Sequence, residues 1–367
     1  MTSIKTFLAA RTLHVAKTLA VVLAATAAVA LATPTAADTL RLLTWGGYAP
    51  DAIVKKFEQQ TGITVEVTIS NNEDIISKLR ATGGAGFDLI QPSVDRIAGP
   101  QEEYGIYKPL DLSKIDTSLY IPDLLNASKK ISTIDGQVYA VAYVWGTAGL
   151  VVNRKVAPDV KGWGDLCTDA HKGKVSMRLK RIPLLGMAFA AGDDPFAAYS
   201  DKDKYQQIID KAGQKLSDCK ANVKAYWSGS DDLLNMLRSG EVVASESWDS
   251  TGFKLNSENP DINFVAPETG ALGWIDTFAL PAKGKNDDAA YKWINFVMRP
   301  ENAAAVTEAS GSFSASKGAD DLVNPALRKA YKEAFPPEVI AKIKWFPSIP
   351  AGLEDMEGKI LDRIAAQ

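Results

Sequence analysis

The chain has 367 residues, a net charge of −3 and an apolar share of 46%. A mildly acidic chain without a basic run is a poor partner for nucleic acid, whose phosphates call for clustered Lys and Arg. Globular composition, with no repeat and no low-complexity tract, excludes fibrous and disordered classes.

Lys5, Arg11 and Lys17 form a basic start, Thr18–Ala32 is an apolar run, and Thr35-Ala36-Ala37 offers small residues for cleavage. This pattern predicts a secretory signal over residues 1–37, too short and too alanine-rich to read as a membrane span. No cysteine lies near the cleavage point, so a lipid anchor is not expected. The leader carries three basic residues and no acids, so its removal takes the charge from −3 to −6. The remaining length suits two lobes, each with its own core.

The first predicted strand, Leu40–Thr44, runs into Trp45-Gly46-Gly47-Tyr48. A helix from Pro50 carries Ile53, Val54 and Phe57 on one face and stops at Gly62. Ile63, Val65, Val67 and Ile69 alternate as a strand. Ser70-Asn71-Asn72 caps a second helix with Ile75, Ile76 and Leu79, ending at Gly83-Gly84, and Phe87–Ile90 is a third strand. Strands alternating with helices imply a parallel sheet covered on both faces. Tyr139–Asn153 reads as two strand segments with a bend at Gly146 and Gly149, a crossing between lobes. Beyond it, the strands Lys174–Met177, Val223–Tyr226, Val242–Ser247 and Ile262–Val265 alternate with helices over Lys204–Leu216 and Asp231–Arg238. Thr277–Leu280 returns to the first lobe, and a helix bearing Tyr291, Ile294, Phe296 and Val297 ends before Pro300.

The fold class expected is therefore α/β, two lobes joined by crossing strands that act as a hinge over a cleft. The N-terminal lobe takes residues 38–142 plus 276–320, and the C-terminal lobe residues 143–275 plus 321–367.

Catalytic patterns are weak. His171 is the one histidine beyond the leader, and no Gly-x-Ser-x-Gly elbow accompanies it. Thr82–Gly86 lacks the Gly-Lys-Ser/Thr of a phosphate-binding loop. Asp193-Asp194 and Asp231-Asp232 read as helix caps rather than glycosidase carboxylates. No metal site is expected, since Cys167, Cys219 and His171 do not make a ligand set. In an oxidising compartment Cys167 and Cys219 are candidates for one disulfide.

Aromatic placement carries more information. Trp45 and Tyr48 follow the first strand, Trp145 lies at the crossing, Trp227 and Trp248 follow strands, and Trp274 precedes the returning one. Tryptophans at strand ends from both lobes suit a cleft that stacks on apolar stems and holds cations. Two of these five are expected in the core. Trp163, Trp293 and Trp345 read as packing residues.

Leu42–Tyr48, Phe57–Val65, Phe87–Ser93, Val141–Gly146, Leu272–Pro281 and Ile294–Pro300 together resemble the extracytoplasmic spermidine/putrescine-binding proteins of ABC transporters. The resemblance spans essentially the whole chain beyond the leader. It implies a periplasmic, monomeric trap with no cofactor and no catalysis, which passes a small amine or amino-acid-like ligand to a membrane permease. Trp45 and Tyr48 match the family's Trp-x-x-Tyr, Trp248 its second-lobe tryptophan, and Trp274-Ile275-Asp276 its Trp-x-Asp. By that match Asp276 would hold an amine and Trp274 would stack on the methylene chain.

Four positions depart from the family. Gly47 stands where an acid is frequent, Ser93 is followed by Val94-Asp95-Arg96 instead of an aromatic, and Gly311-Ser312-Phe313 replaces a later aromatic turn. Arg178-Leu179-Lys180-Arg181 stands near the family's paired acids. Two readings stay open there. In one, Arg178 and Arg181 face the carboxylate of a zwitterionic or anionic ligand, such as an ω-amino acid or an opine-like conjugate, with Asp95 as a charged contact. In the other, these cations form a solvated loop. Rivals of another kind are a secreted carboxylate-dependent hydrolase and a sensor subunit using the same trap.

Overall fold

The computed structural model describes Asp38–Gln367; the leader predicted over residues 1–37 lies outside the described residues. Two long antiparallel strands, Ala140–Asn153 and Leu272–Pro281, run through the middle of a 12-stranded sheet. On one side Leu89–Ile90 pairs with the second of them, followed by Thr39–Thr44 and Thr64–Ile69, the three mutually parallel. On the other side Ala244–Trp248 pairs with the first, followed by Val175–Met177 and Val223–Tyr226, again parallel among themselves. The observed α/β architecture thus has a βα half on each side of an antiparallel centre.

The first half is built as its pattern predicts. The helix Asp51–Thr61 ends at Gly62, whose φ of 71° is the left-handed conformation that closes a helix. Its Phe57 is fully buried against Trp293 and Phe296 of the helix Asp287–Val297. Full burial of such a ring stabilises by roughly 1.5–3 kcal/mol. Asn71 caps the helix Asn72–Thr82 by accepting a hydrogen bond from Asp74 N.

Three expectations are corrected. Ala140–Asn153 is one continuous strand, not two segments with a bend. Its glycines instead give room: a Cβ at Gly146 would lie 2.5 Å from the Trp274 ring, and one at Gly149 2.8 Å from Phe264. The returning strand begins at Leu272, so Trp274 lies within it rather than before it. Residues Arg181–Ala190 form a helix that periodicity does not reveal, because Pro183–Phe189 is buried all round.

In the second half that buried helix packs on Lys202–Asp218, and Gly186 lets Trp163 approach so closely that a Cβ would sit 2.4 Å from its ring. Cys167 and Cys219 are joined by a disulfide that ties a short turn to the end of the helix Lys202–Asp218. The chain then crosses the centre a third time. Lys344–Trp345 lies parallel to Leu272–Gly273, and the terminal helix Leu353–Ala365 packs on Lys202–Asp218 through Ile360 over Gly213. No helix among the described residues is long and apolar enough to cross a membrane.

Candidate functional site

The register of the central strands decides what shares a face. Asp276 pairs with Val144, Trp274 with Gly146, Trp248 with Ala148 and Glu246 with Leu150. Positions 144, 146, 148 and 150 alternate onto one side of the strand, and directly opposed residues point the same way. Asp276, Trp274, Trp248 and Glu246 therefore project from the same face. Asp276 and Trp274 flank the strand Ala140–Asn153 on one side and Trp248 and Glu246 on the other, staggered along it from the first half of the sheet to the second.

Asp276 is held at one end of this staggered row. Tyr48 Oη donates to its Oδ2 at 2.6 Å, and Ser93 Oγ donates to its Oδ1 at 2.5 Å. Tyr48 is supplied by the turn after the first strand. There Gly47 has φ 84° and a Cβ would lie 2.9 Å from Ser310 Cα, so both conformation and space select glycine. Tyr143 Oη donates to the Tyr48 carbonyl at 2.6 Å and fixes the turn from behind. Ser93 is oriented by Asn72, whose Oδ1 accepts from Ser93 N at 3.0 Å and whose Nδ2 donates to Ser93 Oγ at 2.9 Å. Asp276 is 4% exposed. Burial lifts its carboxyl to about 7 against the lowering effect of the two hydroxyls. Burial and the adjacent Asp276 hold the Tyr48 phenol above its ordinary range, so it remains a donor. No ion pair to Asp276 forms among the described residues, so its charge has no balancing cation within the fold.

The aromatics frame this carboxylate. Trp45 is half-buried and donates from Nε1 to the Gln91 carbonyl at 2.8 Å. Trp274 is half-buried with its indole over Gly146. Trp227 and Trp248 meet edge to face, centroids 5.5 Å apart, at the far end of the row. Trp227 is buried and donates to the Glu246 carbonyl at 3.3 Å. Trp145 is drawn elsewhere, packing on Tyr331, Phe335 and Trp345. Trp163 and Trp293 are fully buried.

The two arginines are neither a solvated loop nor unpaired charges. Arg178 and Arg181 have side chains only 12% and 13% exposed. The Arg178 guanidinium stacks over Trp248 at 4.0 Å and Trp227 at 4.7 Å. It also pairs with fully buried Glu246: Nε donates to Oε1 at 3.1 Å, Nη2 reaches the same oxygen, and the Arg178 backbone N–H takes Oε2 at 3.0 Å. Arg181 meets Glu357 Oε1 at 3.2 Å and Asp95 Oδ2 at 3.5 Å, and its Nη2 donates to Tyr199 Oη. Asp95 is shared with Arg96 at 3.6 Å. Lys180 alone of the run is exposed, at the start of the helix.

Pattern reading passed over several partners. Asp249, directly after Trp248, is 3% exposed and accepts from Thr147 N at 2.8 Å, Thr147 Oγ1 at 3.1 Å and Ser250 N at 2.7 Å. Burial raises it to about 7, and among the described residues it too forms no ion pair. Its one signal was an acid at a strand-to-helix junction, which reads equally as a cap. Glu246, Ser93 and Glu357 gave no separate signal. A cavity of about 580 Å³ opens beside Trp248, with Asp231, Ser250, Thr251, Lys254, Ser310 and Gly311 in its wall; Asp276 and Trp274 are not part of it. His171 is buried, not in an exposed turn, and its Nε2 meets Asp159 at 3.1 Å. No group of His, Cys, Asp and Glu among the described residues could hold a metal ion.

The chain belongs to the bacterial extracellular solute-binding protein family, whose model matches residues 52–336. It is 29% identical over 294 residues to the spermidine/putrescine-binding periplasmic protein of Escherichia coli K12, covering 79% of this chain and 81% of that one. It is 27% identical over 320 residues to the putrescine-binding periplasmic protein PotF of the same organism, covering 83% and 85%. In three dimensions it resembles the spermidine/putrescine ABC transporter substrate-binding protein PotD of Streptococcus pneumoniae. That match has a TM-score of 0.74 at 22% identity and covers 90% of this chain and 99% of the other. The structural likeness is one of fold, the two-lobed architecture expected from the strand order.

Proposed function

We propose that this chain is the periplasmic substrate-binding component of an ABC transporter, that it captures a polyamine between its lobes, and that it delivers the ligand to the permease. The observation that carries the reading is Asp276. A buried carboxylate oriented by Tyr48 and Ser93, with no cation of its own, is a site for an ammonium group. Trp274 and Trp45 offer apolar faces for the methylene stem beside it. Asp249 is a second buried acid without a cation, which suits a ligand that carries more than one positive charge. The arginines do not oppose this, because Glu246 balances Arg178 and Asp95 with Glu357 balances Arg181. The names of the curated relatives point to the same ligand class.

In this reading the leader is cleaved on export. The lobes comprise residues 38–142 plus 276–320 and 143–275 plus 321–367, and the working unit is a monomer. The role is binding without turnover. The single histidine beyond the leader is held by Asp159, away from any nucleophile–base pair.

The test is a titration with putrescine, spermidine and 4-aminobutyrate, followed by tryptophan fluorescence and calorimetry. We expect stoichiometric binding of a polyamine and no response to the amino acid. Binding of 4-aminobutyrate with no polyamine response would replace this reading with the zwitterionic one.

A further inference from the structure

Two indole faces and a buried carboxylate meeting at one point make a receptor for a cation. The faces attract positive charge through their quadrupoles, and the carboxylate supplies the counter-charge. Trp227, Trp248 and Glu246 make such a box, and its occupant is the chain's own Arg178. The guanidinium lies 4.0 and 4.7 Å from the two ring centroids, and its backbone N–H and side chain take both oxygens of Glu246.

The box lies on the same face of the central strand as Asp276, and Trp274 stands between them. Val144, opposite Asp276, and Ala148, opposite Trp248, lie roughly 13 Å apart along the strand, and Asp276 and Trp248 flank it on opposite sides, so their backbones are roughly 16 Å apart. A ligand with one ammonium on Asp276 and its stem along Trp274 is aimed at the box. The far ammonium of a triamine comes close to the box, and that of a four-carbon diamine stops well short of it.

We propose that Arg178 is a built-in occupant of a second cation subsite, and that by filling it the protein selects short amines over long polyamines. This rests on the reading that an amine binds Asp276. The mechanism is exclusion: a terminal ammonium brought to Trp248 finds the indole faces and both Glu246 oxygens already taken by the guanidinium, and would be desolvated there without a partner. Arg178 is thus a specificity-determining residue that acts by occupying space and charge.

The experiment compares the wild-type protein with Arg178→Ala for putrescine, spermidine and agmatine, and measures stabilisation of the unliganded protein by ethylguanidinium. The wild type should favour putrescine. In Arg178→Ala the spermidine-to-putrescine affinity ratio should rise by about tenfold or more, and agmatine, an amine ending in a guanidinium, should gain likewise. Ethylguanidinium should raise the melting temperature of Arg178→Ala and not that of the wild type. An unchanged affinity ratio in a variant that binds amines would overturn the proposal. If neither protein binds an amine, the functional reading fails, and ethylguanidinium alone decides the box: stabilisation of the variant supports it, no stabilisation overturns it. Should Arg178→Ala not fold because Glu246 is left unpaired, the double variant Arg178→Ala/Glu246→Gln removes the lone charge and keeps both indoles. The same rise or constancy of the ratio then decides.

Discussion

Tyr48 and Asp276, 228 positions apart in the chain, meet in a 2.6 Å hydrogen bond that joins the first strand's turn to the returning strand. With Tyr48 and Ser93 as its two side-chain donors, the carboxylate keeps about half of its roughly four acceptor sites for a ligand. An ammonium can fill them. Asp276→Asn keeps the shape and removes the charge. We expect it to weaken binding of an amine by about 2–5 kcal/mol, most of it the cost of an ammonium desolvated without its partner. Isothermal calorimetry measures this directly. Unchanged affinity would make Asp276 a structural residue.

Asp276 and Asp249 each carry a carboxyl raised to about 7 by burial. In the unfolded chain such groups ionise near pH 4. Between about pH 4 and 7 the folded protein therefore binds more protons than the unfolded one, and stability falls as pH rises through that window. For the ligand-free protein, scanning calorimetry should show a pH-dependent loss from pH 5 to 7.5 that is smaller in Asp276→Asn and smaller still when Asp249→Asn is added. Amine binding runs the other way, since the ammonium needs the ionised form. Affinity should rise with pH toward 7.5, and titrations in buffers of different ionisation enthalpy should report proton release below pH 7.

Gly146 is the floor under Trp274, and a Cβ there would lie 2.5 Å from the indole. Gly146→Ala must shift the ring or the strand, at a cost of about 1–3 kcal/mol in stability. Denaturant titration gives the loss. Ligand-induced fluorescence change should also fall, because in the proposed binding mode the ligand stem lies on the displaced ring.

Arg181 balances two buried acids at once, Glu357 and Asp95. Arg181→Met strands Glu357 and leaves Asp95 to Arg96 alone, and should cost about 3–5 kcal/mol by chemical denaturation. Adding Glu357→Gln should restore part of the loss, since the deeper uncompensated charge is then gone. A double variant no better than the single would show that packing, not charge, sets the cost.

Much of this was legible in the sequence, and the residues show why. Trp45 and Tyr48 follow the apolar run of the first strand, so local pattern places them at its end; Trp274 and Asp276 lie inside the central strand Leu272–Pro281, and the family resemblance rather than local pattern singles them out. The arginines were legible as charges but not as pairs. Glu246 reaches Arg178 from another strand, and Glu357 reaches Arg181 from the terminal helix, across 68 and 176 positions. No local rule records such a meeting. Trp145 marked the crossing strand as expected, yet which way it faced depended on Tyr331 and Phe335, which arrive much later in the chain. Gly146 and Gly149 misled in another way. Glycine inside an apolar run signals either a bend or a close approach, and only the partner ring tells them apart.

The terminal helix Leu353–Ala365 has a consequence in time rather than in space. Its Leu353, Ile360 and Ile364 are buried in the second half of the molecule, and its Glu357 is the counter-ion of Arg181. That half therefore lacks part of its core until Leu353–Ala365 has been made. With pairings this distant in sequence, folding is slow to begin and completes late. For a chain exported as proposed above, a core completed only by Leu353–Ala365 favours threading before folding.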